Sequence, residues 1–296
     1  MRGQIIDAIY DRMAIDPDIF FVTADMGINL VEKFGDTYPD RFLNVGIAEQ
    51  NMVGVCAGLA NLGYRPFAYT ISNFAIHRCF EQIRNEIGIH DLPITLLGTS
   101  TGFDNAPLGP THHIVDDWGA LKAIPEIDIY CPSGVRYAGT LIDRILASKR
   151  PAYVRIPKGD FKLPNSADDL VKFVGAELGT LLVSYGSLAQ QCLQAQVKDP
   201  RLSVLVVNRL RPLAKDTLHA ALSAHSKIVV MEDHFPSTGL YGSLCEFVAE
   251  NPIDGRLVSI APRDYAMEVG TSPEYFFRKY EMDAEGIHKN IGAIVD

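Results

Sequence analysis

The residues best placed to do chemistry are acids, histidines and one aromatic, each at a break in an apolar pattern. Glu49 lies in residues 44–60, NVGIAEQNMVGVCAGLA. A short strand at 42–45 runs into Gly46, and a helical pattern starts at once. Met52, Val55, Cys56 and Leu59 fall at i, i+3, i+4 and i+7, so one helix face is apolar. Glu49 therefore sits in the first turn, beside the carboxyl end of a strand, where open α/β sheets bind ligands. A carboxylate there can share or move a proton, or do no more than complement the helix dipole. His112 and His113 lie in the loop run GPTHH, and a lone loop histidine is more often structural than catalytic. Asp25 follows an apolar run directly, in TADMG, where an acid commonly caps a turn. In TISNFAIHR, Phe74 reads by itself as core packing and His77 as a surface residue.

The elements that must position these residues follow from periodicity. Continuous or short apolar runs predict strands at 19–23, 42–45, 66–69, 94–98, 127–131 and 152–156, as buried parallel strands read. Helical patterns at 3–14, 48–62 and 74–89 alternate with them, and a long irregular loop covers 99–113. A polar stretch with Pro164, Asn165 and Ser166 then reads as a linker. The alternation restarts with strands at 181–184, 204–207, 228–231 and 257–260 and helices near 187–197, 215–224, 239–250 and 273–280. The expected fold is α/β, with two doubly wound domains at 1–163 and 177–296 joined by residues 164–176.

Composition narrows the function. The 296 residues are 47% hydrophobic and 21% charged, which is globular and enough for two cores. A net charge of −9 leaves no footprint for nucleic acid or an anionic membrane. No apolar run is long enough to span a bilayer. The start, MRGQIIDAIYDRM, reads as an amphipathic helix with acids in it, not as a signal peptide. Cys56, Cys79, Cys131, Cys192 and Cys245 form no CxxC pair, and most lie in apolar segments. They are expected to be reduced core thiols of a cytoplasmic protein.

Several of these runs resemble the transketolase family. They are YPDRFLNVGIAEQNMVG, FEQIRNEI, GPTHHIVDDWGALKAIPEIDIYCPS and PAYVRIPKG, then GTLLVSYGS, NRLRPL and VVMEDHFPSTGLYGSL in the second half. The resemblance covers nearly the whole chain. It implies a thiamine-diphosphate-binding pyrimidine domain followed by the family's C-terminal domain. A full transketolase also has an amino-terminal domain, whose Gly-Asp-Gly stretch helps bind the diphosphate and a metal ion, and this sequence has no Gly-Asp-Gly. The implied protein is thus half of a split enzyme. Thiamine diphosphate would be its cofactor, with Mg²⁺ or Ca²⁺ held mainly by an amino-terminal partner subunit. An α2β2 heterotetramer, self-association through this chain and small sugar substrates are implied as well.

The resemblance also implies roles. Glu49 matches the acid that bonds the aminopyrimidine ring and favours the tautomer in which the cofactor's own amine acts as base. Ile71, Phe74 and His77 match an aromatic pocket for that ring, of which Phe74 alone is kept. His112 matches a contact to the donor sugar, and Asp25 an acid near the cofactor and dimer seam. Elsewhere the chain departs from the pattern. Leu108 stands where an Asp reads an acceptor hydroxyl, and Ser100 where a His meets the substrate phosphate. Lys158 replaces a phosphate-binding Arg, with Arg155 close by, and Asn29 replaces a Ser. Arg2 keeps its match to a phosphate ligand, at a terminus where chains fray. The expected activity is transfer of a two-carbon ketol unit from a ketose to an aldehyde, with a non-standard sugar. Two alternatives remain. One is a 2-oxo-acid-decarboxylating acyl transferase of the deoxyxylulose-phosphate synthase or oxo-acid dehydrogenase β-subunit type. The other is a non-catalytic partner subunit.

Overall fold

The computed structural model describes residues 1–296 except 162, 164–167, 176–178 and 296, and the side chains of 292–295. The first half of the chain supplies β1 (Ile19–Thr23), β2 (Phe42–Asn44), β3 (Arg65–Ile71), β4 (Thr95–Thr99), β5 (Asp128–Tyr130) and β6 (Ala152–Ile156). The second half supplies β7 (Leu170–Phe173), β8 (Thr180–Ser184), β9 (Ser203–Val207), β10 (Arg209–Arg211), β11 (Lys227–Met231) and β12 (Arg256–Ile260). The first sheet runs β10-β5-β6-β4-β3-β1-β2 and the second β12-β11-β8-β9-β7. All pairings among β1 to β6 are parallel. β7 and β10 pair antiparallel, each at the edge of its sheet. The strands read as continuous apolar runs because helices cover both faces; β1, IFFVT, is buried throughout.

Several expectations change. The residues read as linker, 164–176, include Leu170–Phe173, which is β7; its Val171 is buried and its backbone pairs with β9. Residues 164–167 and 176 lie outside the described residues. The single helix expected over 74–89 is broken into Ser72–Ile76, a turn at 77–79, Phe80–Gln82 and a π-helical turn Ile83–Gly88. The break falls where His77 and Arg78 turn to acids instead of continuing an apolar stripe. In the helix Glu49–Asn61, the buried stripe is Met52, Val53, Cys56, Ala57 and Ala60, with Val55 and Leu59 only half-buried. The small side chains of Ala57 and Ala60 let the helix turn that face onto the sheet. A further helix, Ala284–Val295, follows the last one expected. The thiols of Cys56, Cys79, Cys131 and Cys192 are buried and free, whereas Cys245 is exposed and is no core residue.

The halves meet through buried polar groups. Arg211 of β10 donates to the carbonyls of Leu121, Ile124 and Ile127. Arg155 of β6 reaches Asp233, just beyond β11. Among the described residues, no helix is long and apolar enough to cross a membrane.

Candidate functional site

Parallel strands all end on one side, so one sheet edge collects a residue from each connection. Asp25 follows β1, Glu49 opens the helix after β2, and Ile71 ends β3, with Phe74 in the helix behind it. Ser100 follows β4, His112 lies further along the same loop, and Lys158 follows β6. The first turn is tied by Asn44, whose Oδ1 accepts from the backbone N–H groups of Asp25 and Gly46, both at 3.0 Å. Gly46 has φ +73°, a left-handed conformation that glycine adopts freely.

Glu49 is 2% exposed, although it is an acid at the rim of a sheet. Its Oε2 accepts a hydrogen bond from Arg78 Nη1 at 2.6 Å. The Arg78 guanidinium in turn lies over the Phe74 ring, 4.3 Å from its centroid. His112 meets the same ring edge-on, at 5.5 Å and 77°. The helix and the loop that carry these two residues are clipped together by Asn73 Nδ2, which donates to the Thr111 carbonyl at 2.7 Å. Glu49, Phe74 and His112 therefore do come together, bridged by Arg78 and the Phe74 ring, and Ile71 is half-buried at the end of β3. A buried carboxylate next to an apolar and aromatic wall suits a flat nitrogen heterocycle, which can stack and share a proton in its own plane.

His77 takes another direction. Its Nε2 lies 2.9 Å from Asp116 Oδ1, while Tyr265 of the second half donates to Asp116 Oδ2 at 2.7 Å. The hydrogen bond to Asp116 raises the His77 pKa against the effect of burial. The same acid pushes the Tyr265 hydroxyl up to about 12. His77 thus stands at the rim paired with Asp116, an acid that Tyr265 also holds from the second half of the chain.

The loop after β4 passes under this rim. Ser100 is buried at φ +66°. Asp104 Oδ2 accepts from the backbone N–H groups of Thr101 and Lys158, at 3.0 and 2.7 Å. Lys158 Nζ donates to Asn105 Oδ1 at 2.6 Å. Leu108 is 56% exposed, and Gly109 beside it packs against Val269 of the second half. His113 is buried against Phe103 and Phe276, and burial lowers its pKa. It belongs to the core, in contrast to His112.

Arg155 does not serve this edge. Its side chain is wholly buried, with Nε on Asp117 at 3.0 Å, Nη1 on Asp233 at 2.7 Å and Nη2 on the Ile114 carbonyl at 2.7 Å. Burial opposes its charge, but the two acids outweigh burial and keep it protonated. A guanidinium so engaged has no face left for a substrate phosphate. The expectation that Arg155 stands in beside Lys158 is thereby corrected: it is a clamp between the halves.

The remaining candidates lie toward the β1 and β2 end. Asp25 is exposed at φ +52°, and Asn29 is exposed at φ +63° with its N–H on Glu32 Oε1 at 2.8 Å. Arg2 does not fray. It opens the helix Arg2–Met13, and the Met1 amino group donates to the Gly159 carbonyl at 2.9 Å, next to Lys158. Arg2 also lies near the buried Tyr69 hydroxyl, whose pKa is raised by burial and drawn back by Arg2.

Sequence reasoning missed Arg78, Asp116 and Tyr265. The nearness of Arg78 to Phe74 was legible, since four residues is the spacing at which helical side chains meet, but its reach to Glu49 was not. Tyr265 was not, because nothing local links it to an acid 149 residues away. Among the described residues, no group of three or more His, Cys, Asp and Glu is arranged to hold a metal ion.

Comparison with known proteins agrees with this architecture. Residues 1–164 match the family "Transketolase, pyrimidine binding domain", and residues 173–287 match "Transketolase, C-terminal domain". The chain is 29% identical to a subunit of apulose-4-phosphate transketolase from Phocaeicola vulgatus, over 97% of this chain and 95% of that one. It is 31% identical to 1-deoxy-D-xylulose-5-phosphate synthase of Syntrophotalea carbinolica, over 98% of this chain and 46% of the relative. Its fold superimposes on a solved structure described as "Split gene transketolase, inactive beta4 tetramer" with a TM-score of 0.85 and 24% identity, over 97% of this chain and 95% of that one. By its two matched domains and the edge on which they place Glu49, the chain belongs to the transketolase family and corresponds to its carboxyl-terminal, pyrimidine-binding half.

Proposed function

We propose that this chain is the catalytic-rim subunit of a thiamine-diphosphate-dependent transketolase. It acts with an amino-terminal subunit, in an α2β2 assembly of the cytoplasm, to move a two-carbon ketol unit from a ketose to an aldehyde. The observation that carries the reading is Glu49, buried beside the Phe74 ring at the carboxyl edge of a parallel sheet. The residues fit the aminopyrimidine half of the cofactor. Glu49 would hold the ring nitrogen and share a proton with it, Phe74 and Ile71 would bound the ring, and His112 would face the substrate. When bound, the cofactor supplies the carbon nucleophile that cleaves the bond beside a carbonyl. The diphosphate and its Mg²⁺ or Ca²⁺ need oxygen ligands, which we assign to the partner subunit.

Leu108 and Ser100 support a non-standard sugar. Leu108 cannot bond a hydroxyl, and Ser100 is buried and carries no charge. The likeness to an apulose-4-phosphate transketolase subunit makes apulose 4-phosphate the first donor to try. The likeness to 1-deoxy-D-xylulose-5-phosphate synthase keeps a second reading, in which a 2-oxo acid is decarboxylated and its acyl unit transferred. The test is a donor screen with the purified chain and an amino-terminal subunit carrying the Gly-Asp-Gly stretch. Ketol transfer from a ketose supports the proposal, and turnover of pyruvate without ketose cleavage supports the second reading. No turnover with any donor makes the chain a non-catalytic subunit.

A further inference from the structure

Arg78 stands on both of the groups that the cofactor reading reserves for the aminopyrimidine ring. Its Nη1 bonds Glu49 Oε2 at 2.6 Å, and its guanidinium carbon lies 4.3 Å from the Phe74 centroid. A guanidinium is flat and delocalised, stacks on aromatic faces and presents N–H donors to a carboxylate in its own plane. An aminopyrimidine ring asks for the same pair of partners, stacking on the aromatic face and sharing a proton with the carboxyl group in its own plane. His112 meets the same ring in a T-shaped arrangement, at 5.5 Å. The face under Arg78 is the outward one, since the Arg78 side chain is itself 44% exposed.

We propose that Arg78 is a built-in competitor for the pyrimidine subsite. It covers Phe74 and pairs Glu49 in the ligand-free chain, and a ring enters as the arginine swings out. The inference rests on the cofactor reading above. Arg78 is built for the exchange. Its head reaches in from solvent while Glu49 is 2% exposed, so it leaves without unpacking the core. Its backbone is held in the turn at 77–79, where its carbonyl accepts from Gln50 Nε2 at 3.1 Å, so the motion is confined to the side chain. A buried acid left without a partner is costly, and in the exchange the ring nitrogen takes the place of the guanidinium, with one proton shared between it and Glu49. The subsite therefore selects for a flat ligand with a hydrogen-bonding nitrogen edge. A ring that only stacks cannot replace both contacts.

The test uses 4-amino-5-hydroxymethyl-2-methylpyrimidine, a neutral probe without thiazolium or diphosphate, titrated into the full chain and followed by NMR shifts. Arg78→Ala should bind it about tenfold more tightly than wild type, the combined scale of an exposed ion pair and one cation–π contact. Arg78→Lys keeps Glu49 paired but cannot stack flat, and should fall between the two; it also decides the matter if the alanine variant folds poorly. Equal or weaker binding by both variants overturns the proposal, because Arg78 then helps to hold the ring. Absence of binding to every variant overturns it too, since clearing Phe74 and Glu49 should open a site. Turnover of Glu49→Gln in the assembled enzyme tests the cofactor reading separately. An inactive Glu49→Gln with a failed Arg78 test leaves that reading in place.

Discussion

Glu49 and Leu108 lie at opposite extremes of exposure on one sheet edge, 2% and 56%. They respond differently to substitution. Glu49→Gln keeps an oxygen for Arg78 but cannot share a proton with a ring nitrogen. With the partner subunit, kcat should fall by ~10²–10⁴-fold, the usual cost of a lost proton-transfer role. Circular dichroism and the melting point should stay near wild type. A variant that keeps most of its turnover would remove Glu49 from the mechanism. Leu108 has room around it, so Leu108→Asp should change stability by no more than ~0.5 kcal/mol. It should shift selectivity toward ordinary hydroxylated acceptors. The measurement is kcat/KM for a hydroxylated and a deoxy acceptor, and an unchanged ratio argues against a rewritten acceptor wall. The single exchange at 108 is the cleaner probe, because Ser100 is buried and a histidine there would meet crowding.

At the scale of elements, the loop between β4 and His112 is shaped by contact with the second half of the chain. Gly102 has φ +54°, and a Cβ on it would stand 1.9 Å from Asp233 Oδ2. Gly102→Ala must therefore push Asp233 away from Arg155, whose Nη1 it meets at 2.7 Å. Stripping one partner from a buried pair costs roughly 3–5 kcal/mol. Urea denaturation should show a loss of that order, and a variant as stable as wild type would show that the loop can shift without moving the acid. The broken helix at 72–88 follows a related logic. A regular helix would carry His77 and Arg78 along in step, whereas the turn lets them reach Asp116 and Glu49 separately. Irregular and π-helical turns concentrate at such sites.

At the scale of the whole molecule, the buried charges between the halves should make stability depend on pH. Burial, helped by Asp233, pushes Asp104 up to about 7, against Lys158 and Arg155. In the unfolded chain this carboxyl titrates near ~4. Between those values the unfolded chain has lost the proton and the folded chain has kept it. The contribution of this group is thus full below about pH 4, declines as pH rises, and levels off above about pH 7. Its range is on the order of a few kcal/mol. Asp104→Asn leaves one oxygen to take both backbone N–H bonds that Oδ2 accepts. Denaturation midpoints at pH 5 and pH 8 should drop more for wild type than for Asp104→Asn. Equal drops would place the pH dependence elsewhere.

The alternation of strands and helices was legible in the sequence, and with it the mainly parallel sheets, since a run such as IFFVT has no polar face to show to water. The sequence determined that Glu49, Phe74 and His112 sit at the strand ends, because in a parallel sheet the connection after each strand opens on the same edge. It did not determine which charged residues face that edge. Arg155 and Lys158 lie three residues apart, and their separation was decided by Asp117 and Asp233, which draw one into the interior while the other stays exposed. Nor did it reveal that Arg78 covers Glu49, or that Tyr265 and His77 share Asp116. Local pattern reports burial and turn geometry. The partner of a charge is chosen by distance in space, and that is fixed only when the two halves of the chain close on each other.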